Sequence, residues 1–148
     1  MQGDVNDLRP GEFKITDTEE AVWRQVNPAF VHDGRVSSQA FTPSAKDEGE
    51  LSVNRSSKVS AQESFDHYTK VLEFPSAGVY SLTVGEISGE ELSVIDDSAA
   101  EDGQPRSPGH AFIDYRSVPP KRAKKIAGRL RQKAESHDWA YRSEVAED

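Results

Sequence analysis

The chain has 148 residues, 34% hydrophobic and 30% charged, with 18 Lys+Arg against 26 Asp+Glu, a net charge of −8 and no cysteine. This length predicts one domain with enough core to fold without a staple, and the lack of cysteine excludes disulfides, thiolate nucleophiles and thiolate metal sites. The polar opening Met1-Gln2-Gly3-Asp4 and the lack of any apolar run near ~18 residues predict neither a secretion signal nor a membrane span, so a cytoplasmic protein is expected.

Residues 1–20 are acidic and hold Pro10-Gly11, which predicts a loosely ordered arm with one ordered piece near Phe13 and Ile15. Val22 to Val26 alternates apolar and polar residues with the period of a strand, and Pro28 follows it. His32-Asp33-Gly34-Arg35 has turn chemistry; Val36 to Phe41 then reads as a second strand and Glu50 to Val53 as a third. Ser60-Ala61-Gln62-Glu63 is a capping box, and Ala61, Phe65, Tyr68 and Leu72 follow at helical spacing, which predicts a helix over 60–73. Gly78 to Ile87 reads as the clearest strand, and Glu91 to Ile95 as a shorter one.

Asp96 to Gly109 reads as a long surface loop, and Ala111 to Ile113 as a buried strand ending near Tyr115. Pro119 and Pro120 suit the start of a last helix over 120–135, with Ala123, Ile126, Ala127, Leu130 and Ala134 as its apolar stripe. Trp139 and Tyr141 are expected to pack back on the body. The order predicts an α+β fold: a small mixed or mainly antiparallel sheet packed by two helices, in a single domain over 21–142 with an acidic tail at 143–148.

Charge is segregated. Lys121, Arg122, Lys124, Lys125, Arg129, Arg131 and Lys133 lie in the last helix with no acid among them, so the rest of the chain carries −15. Such a basic face suits nucleic acid or an acidic protein; its plain structural alternative is a solvated helix paired with the acidic body. No aromatic interleaves the basic residues, which disfavours stacking on single strands.

A second cluster holds Arg24, Arg35, Ser37, Ser38, Gln39 and Arg55. Arginine on a strand can clamp a phosphate or carboxylate with two parallel bonds, and hydroxyls can complete the site. Ion pairing along a polar strand face is the plain alternative. His110, at a loop-to-strand junction, is a candidate general base. The carboxylates Glu86, Glu90, Glu91, Asp96, Asp97, Glu101 and Asp102 lack a calcium-loop pattern, and no two histidines have metal-binding helical spacing. No metal or other cofactor is expected.

In its order of features the chain resembles ADP-ribosyltransferase-related folds, including the RES-type NAD-consuming toxins, over roughly residues 22–95. The features are Arg24 beside an aromatic on an early strand, Ser37 and Ser38 near a Phe, then a helix and a Tyr-bearing strand. The resemblance implies that Arg24 holds the dinucleotide phosphates, that Ser37 or Ser38 sits near the nicotinamide ribose, and that Glu63 or Glu86 is the acid.

Small size, acidity with one basic helix and the lack of a nucleophile or phosphate-loop motif point first to a non-catalytic protein that docks on a macromolecular partner, regulatory, immunity- or antitoxin-like. The expected partner surface includes Asp96 to Asp102. The alternatives are a NAD- or nucleotide-using enzyme built on Arg24 and Ser37 or Ser38, and nucleic-acid binding through the basic helix.

Overall fold

Seven strands form one sheet in the computed structural model, which describes residues 8–100 and 106–142. They are β1 (Phe13–Lys14), β2 (Ala21–Val26), β5 (Glu50–Arg55), β6 (Gly78–Thr83), β7 (Val94–Asp96), β8 (His110–Asp114) and β9 (Tyr141–Arg142). Their order is β1-β7-β8-β5-β2-β6-β9, with every neighbouring pair antiparallel. A separate hairpin pairs β3 (Val31–His32) with β4 (Arg35–Val36) across Asp33 and Gly34, both at positive φ. The helices are α1 (Ala61–Asp66), α2 (Val84–Ser88) and α3 (Pro120–Ser136). The α+β class is that of the sequence, and no helix among the described residues is long and apolar enough to cross a membrane.

The two-residue period divides the sheet into two chemically different faces. Val22, Val26, Leu51, Val53, Leu82, Val94, Ala111 and Ile113 point to one face, where they join Ile126, Ala127 and Leu130 of α3 in a single buried cluster. The other face carries Trp23, Gln25, Asn54, His110 and Phe112. It is closed by α1 and by the segment around Arg9. Phe112 is fully buried there, with the guanidinium groups of Arg9 and Arg116 over its ring at 5.7 and 5.3 Å from the centroid.

Three predicted elements take different forms. Only Val36 of the 36–41 stretch is strand; Ser38–Phe41 is a 3-10 turn, because the Ser37 hydroxyl accepts the Gln39 amide and starts a turn instead of a ladder. The 78–87 strand ends at Thr83. Its hydroxyl accepts from the Glu86 amide while the Glu86 carboxylate accepts from the Thr83 amide, a capping box that starts α2.

The 60–73 helix begins at its predicted box, with Ser60 and Glu63 exchanging the same two bonds. It then changes pitch, and His67–Val71 forms a π-turn closed by the Leu72 amide on the His67 carbonyl at 3.0 Å. One inserted residue rotates the remainder of the helix by about a quarter turn. Leu72 leaves the half-buried stripe of Phe65 and Tyr68 and is 43% exposed. Asp96 and Asp97, expected in a surface loop, are each only 2% exposed.

Candidate functional site

The residues singled out by the sequence do not meet in one concave site. Trp23, Asn54 and His110 sit opposite one another on β2, β5 and β8, so they share a face, whereas Arg24 points to the other. Arg24 takes the register of Val22 and Val26. Its Nε donates to the Ala40 carbonyl at 2.6 Å and its Nη1 to the Ser52 carbonyl at 3.0 Å. It therefore ties the 3-10 turn to β5. Burial pushes its pKa below the ordinary arginine value, and no carboxylate pairs with it among the described residues.

The other members of that cluster are also engaged. Arg35 reaches Glu135 of α3 at 3.1 Å, and Glu135 also accepts from the Val36 amide. Ser37 caps the 3-10 turn, and the Ser38 carbonyl accepts from the Thr42 hydroxyl. The Gln39 amide is the one that Ser37 caps. Glu63 and Glu86 serve in the capping boxes, and Glu86 also contacts His137 at 2.8 Å.

Arg55 holds Glu20 with two parallel bonds, Nε to Oε2 at 2.9 Å and Nη2 to Oε1 at 2.7 Å, and reaches Asp96 Oδ2 through Nη1 at 2.7 Å. The Ser57 hydroxyl donates to Glu20, and the Ser98 amide and hydroxyl donate to Asp96. The bonds from Arg55 lower the Glu20 pKa. For Asp96, burial pushes upward but is outweighed by Ser98 and Arg55, and the pKa falls below the ordinary value.

Beside this triad lies the arrangement that the sequence concealed. His110 Nδ1 meets Asp97 Oδ1 at 2.5 Å, and Arg106 Nε donates to Asp97 Oδ2 at 3.2 Å. Burial raises the Asp97 pKa, but His110 and Arg106 lower it by more. A carboxylate on Nδ1 fixes the ring orientation and leaves Nε2 as the nitrogen that Asp97 does not engage, the arrangement a general base or a hydrogen-bonding ligand contact uses. A polar relay ends next to it. The Ser76 hydroxyl donates to Gln25, Gln25 to Ser64, Ser64 to Asn54 and Asn54 to Ser107. The pairing of Asp97 with His110 had no local signal, since 13 residues separate the partners. Glu101 and Asp102 lie outside the described residues.

The basic residues of α3 divide by type. Arg122, Arg129 and Arg131 pair with Glu91, Glu90 and Glu135 at 2.7, 2.6 and 2.8 Å. Lys121, Lys124, Lys125 and Lys133 are exposed and have no carboxylate partner among the described residues. The first turns of α3 border a groove of about 580 Å³, between Thr42–Gly49 on one side and Tyr115 and Val118 on the other.

A further exposed feature arises from the π-turn. Val71, Leu72 and Phe74 are 65%, 43% and 51% exposed. Glu73 at φ 61 reverses the chain, the Phe74 amide closes on the Tyr68 carbonyl at 3.1 Å, and the two rings lie 5.3 Å apart. The ledge is thus held in shape by its own helix end. No family model, no curated protein and no solved structure matches this chain.

Proposed function

We propose that this chain is a cytoplasmic, non-catalytic binding protein that docks on a protein partner through the Val71–Leu72–Phe74 ledge. It would act by occupying that partner, in the regulatory manner of an immunity or antitoxin protein. The observation that carries this reading is the π-turn at His67–Val71, which follows α1. A continuous α-helix would keep Leu72 on the half-buried stripe with Phe65 and Tyr68; at the end of the π-turn Val71, Leu72 and Phe74 are exposed instead. Insertions of this kind are frequent at functional sites, and clustered apolar exposure is characteristic of protein-binding surfaces.

An apolar ledge suits a protein better than a nucleic acid. The arginines of α3, which would be the strongest phosphate ligands, are paired with carboxylates. The acidic partner surface expected at Asp96 to Asp102 is weakened as a candidate, because Asp96 and Asp97 are turned inward.

The test is retention of partners from native cell extract by the tagged chain, with and without nuclease, beside the double variant Val71→Asp/Phe74→Asp. One stoichiometric protein that survives nuclease and is lost with the variant supports the reading. Recovery of the chain alone, a partner that the variant still holds, or nucleic acid in its place overturns it.

A further inference from the structure

The groove beside the opening turns of α3 has a different chemistry from the ledge. Its walls include Pro43, Ala45, Tyr115, Val118 and Ala123, and Lys121 and Lys124 stand on its rim. Its volume, about 580 Å³, lies within the ~300–1,000 Å³ of small-molecule sites.

The walls are fixed in advance. The Tyr115 hydroxyl donates to the Phe41 carbonyl at 2.7 Å, which pins the ring, and the Val118 amide bonds the Tyr115 carbonyl at 2.9 Å. On the opposite wall, the Ser44 amide and hydroxyl both donate to Asp47 Oδ2, at 2.7 and 2.9 Å. Gly49, at φ 82, lets the chain pass Arg116 closely; a Cβ there would fall 2.9 Å from the Arg116 Cα.

We infer that this groove binds a small amphiphilic monoanion: an aryl or acyl body bearing one carboxylate, sulfonate or phosphodiester head. The apolar body lies against Tyr115, Val118 and Ala45, and the head faces Lys121 and Lys124. Charge sets this orientation. On a chain of net charge −8, both lysines are exposed and neither pairs with a carboxylate among the described residues. Glu48, in the Thr42–Gly49 part of the lining, repels the head from that segment and favours the α3 rim as its place. An uncharged ligand of the same shape would use the walls and ignore the rim. The inference is independent of the ledge and survives its failure.

The experiment titrates the intact chain with 8-anilinonaphthalene-1-sulfonate and, in parallel, with its uncharged parent N-phenyl-1-naphthylamine. Fluorescence reads binding, and backbone amide NMR reads location. The expected result is saturable one-site binding of the sulfonate, with shifts confined to residues 42–49 and 115–124. Lys121→Glu/Lys124→Glu should weaken the sulfonate about tenfold or more and the neutral probe less than about twofold, the size of effect expected when one charge-assisted contact is reversed. Ala45→Trp fills the groove from an exposed position and should abolish both.

Unchanged sulfonate affinity in the lysine variant overturns the inference, as does unchanged affinity of either probe in Ala45→Trp. Non-saturable binding, or wild-type shifts centred on Val71–Phe74, also overturns it. The wild-type NMR map decides the matter even if a variant does not fold. Val71→Asp/Phe74→Asp, which tests the ledge, should leave sulfonate binding unchanged.

Discussion

Two strand arginines show how differently one residue type can be stabilised. Arg24 satisfies backbone carbonyls and forms no ion pair among the described residues, whereas Arg55 joins two buried acids. A buried pair contributes little net stability, yet removing one partner strands the other charge, at a cost of about 3–5 kcal/mol. Arg55→Met should therefore destabilise the fold by that amount in urea titrations at neutral pH. The pH dependence identifies the cause. In the wild type Glu20, Asp96 and Asp97 have pKa values below their ordinary ones. The unfolded chain then binds protons first, so their stabilisation is complete above about pH 5 and is lost as pH falls through ~4 and below. In Arg55→Met, Glu20 and Asp96 are buried without a cation, so their folded values rise above the unfolded ones. Stability between about pH 4 and 7 should then increase as pH falls, reversing the wild-type slope. A variant that keeps the wild-type slope would show that Arg55 does not hold these carboxylates in their charged form.

Element ends depend on single side chains and single glycines. Gly78 opens β6 at φ +153, and a Cβ there would lie 2.6 Å from the Tyr141 carbonyl oxygen and 2.8 Å from the Trp139 ring. Gly78→Ala should push β9 and Trp139 off the sheet edge and destabilise by about 2 kcal/mol or more. The stack of Trp139 on Tyr80, with centroids 4.2 Å apart, supplies a local readout: Trp139 emission should change while Trp23 emission does not. Such closeness explains what the sequence could and could not reveal. The Ser60–Glu63 box and the α3 stripe are local patterns, and both elements begin where those patterns place them. Thr83-Val84-Gly85-Glu86 is an equally local box, but the apolar alternation running through it reads as continued strand. The π-turn leaves no mark at all, because Phe65, Tyr68 and Leu72 suit a regular helix. The Asp97–His110 contact depends on neighbours distant in sequence, as do the carbonyls that occupy Arg24, whereas the 3-10 turn at Ser38–Phe41 rests on the local Ser37 cap inside an apolar pattern that reads as strand. Hence the basic helix was legible as charge, while the division between paired arginines and unpaired lysines emerged only from the packing.

At the scale of the whole molecule, one sheet carries two layers, and each strand contributes alternate residues to both. On β2, Val22 and Val26 enter the α3 layer, while Trp23 and Gln25 enter the α1 layer. The tryptophans report opposite sides. The Trp23 indole donates to the Val59 carbonyl at 2.8 Å beside α1, and Trp139 packs on Tyr80 in the α3 layer. Losing either layer uncovers side chains anchored on the same central strands β2, β5 and β6, and those strands cannot keep their ladder while half their residues are stripped of cover. The layers should therefore unfold together. Trp23→Phe leaves Trp139 as the only tryptophan, and Trp139→Phe leaves Trp23. In urea, each single-tryptophan variant should give a fluorescence midpoint that matches its own far-ultraviolet dichroism midpoint. The alternative is a shell that peels: among the described residues β9 joins the edge through Tyr141 and Arg142, and α3 rests on one face. If Trp139 fluorescence is lost at lower urea than the dichroism while Trp23 follows the sheet, α3 and β9 form a separately unfolding layer, and the groove beside α3 would open before the fold does.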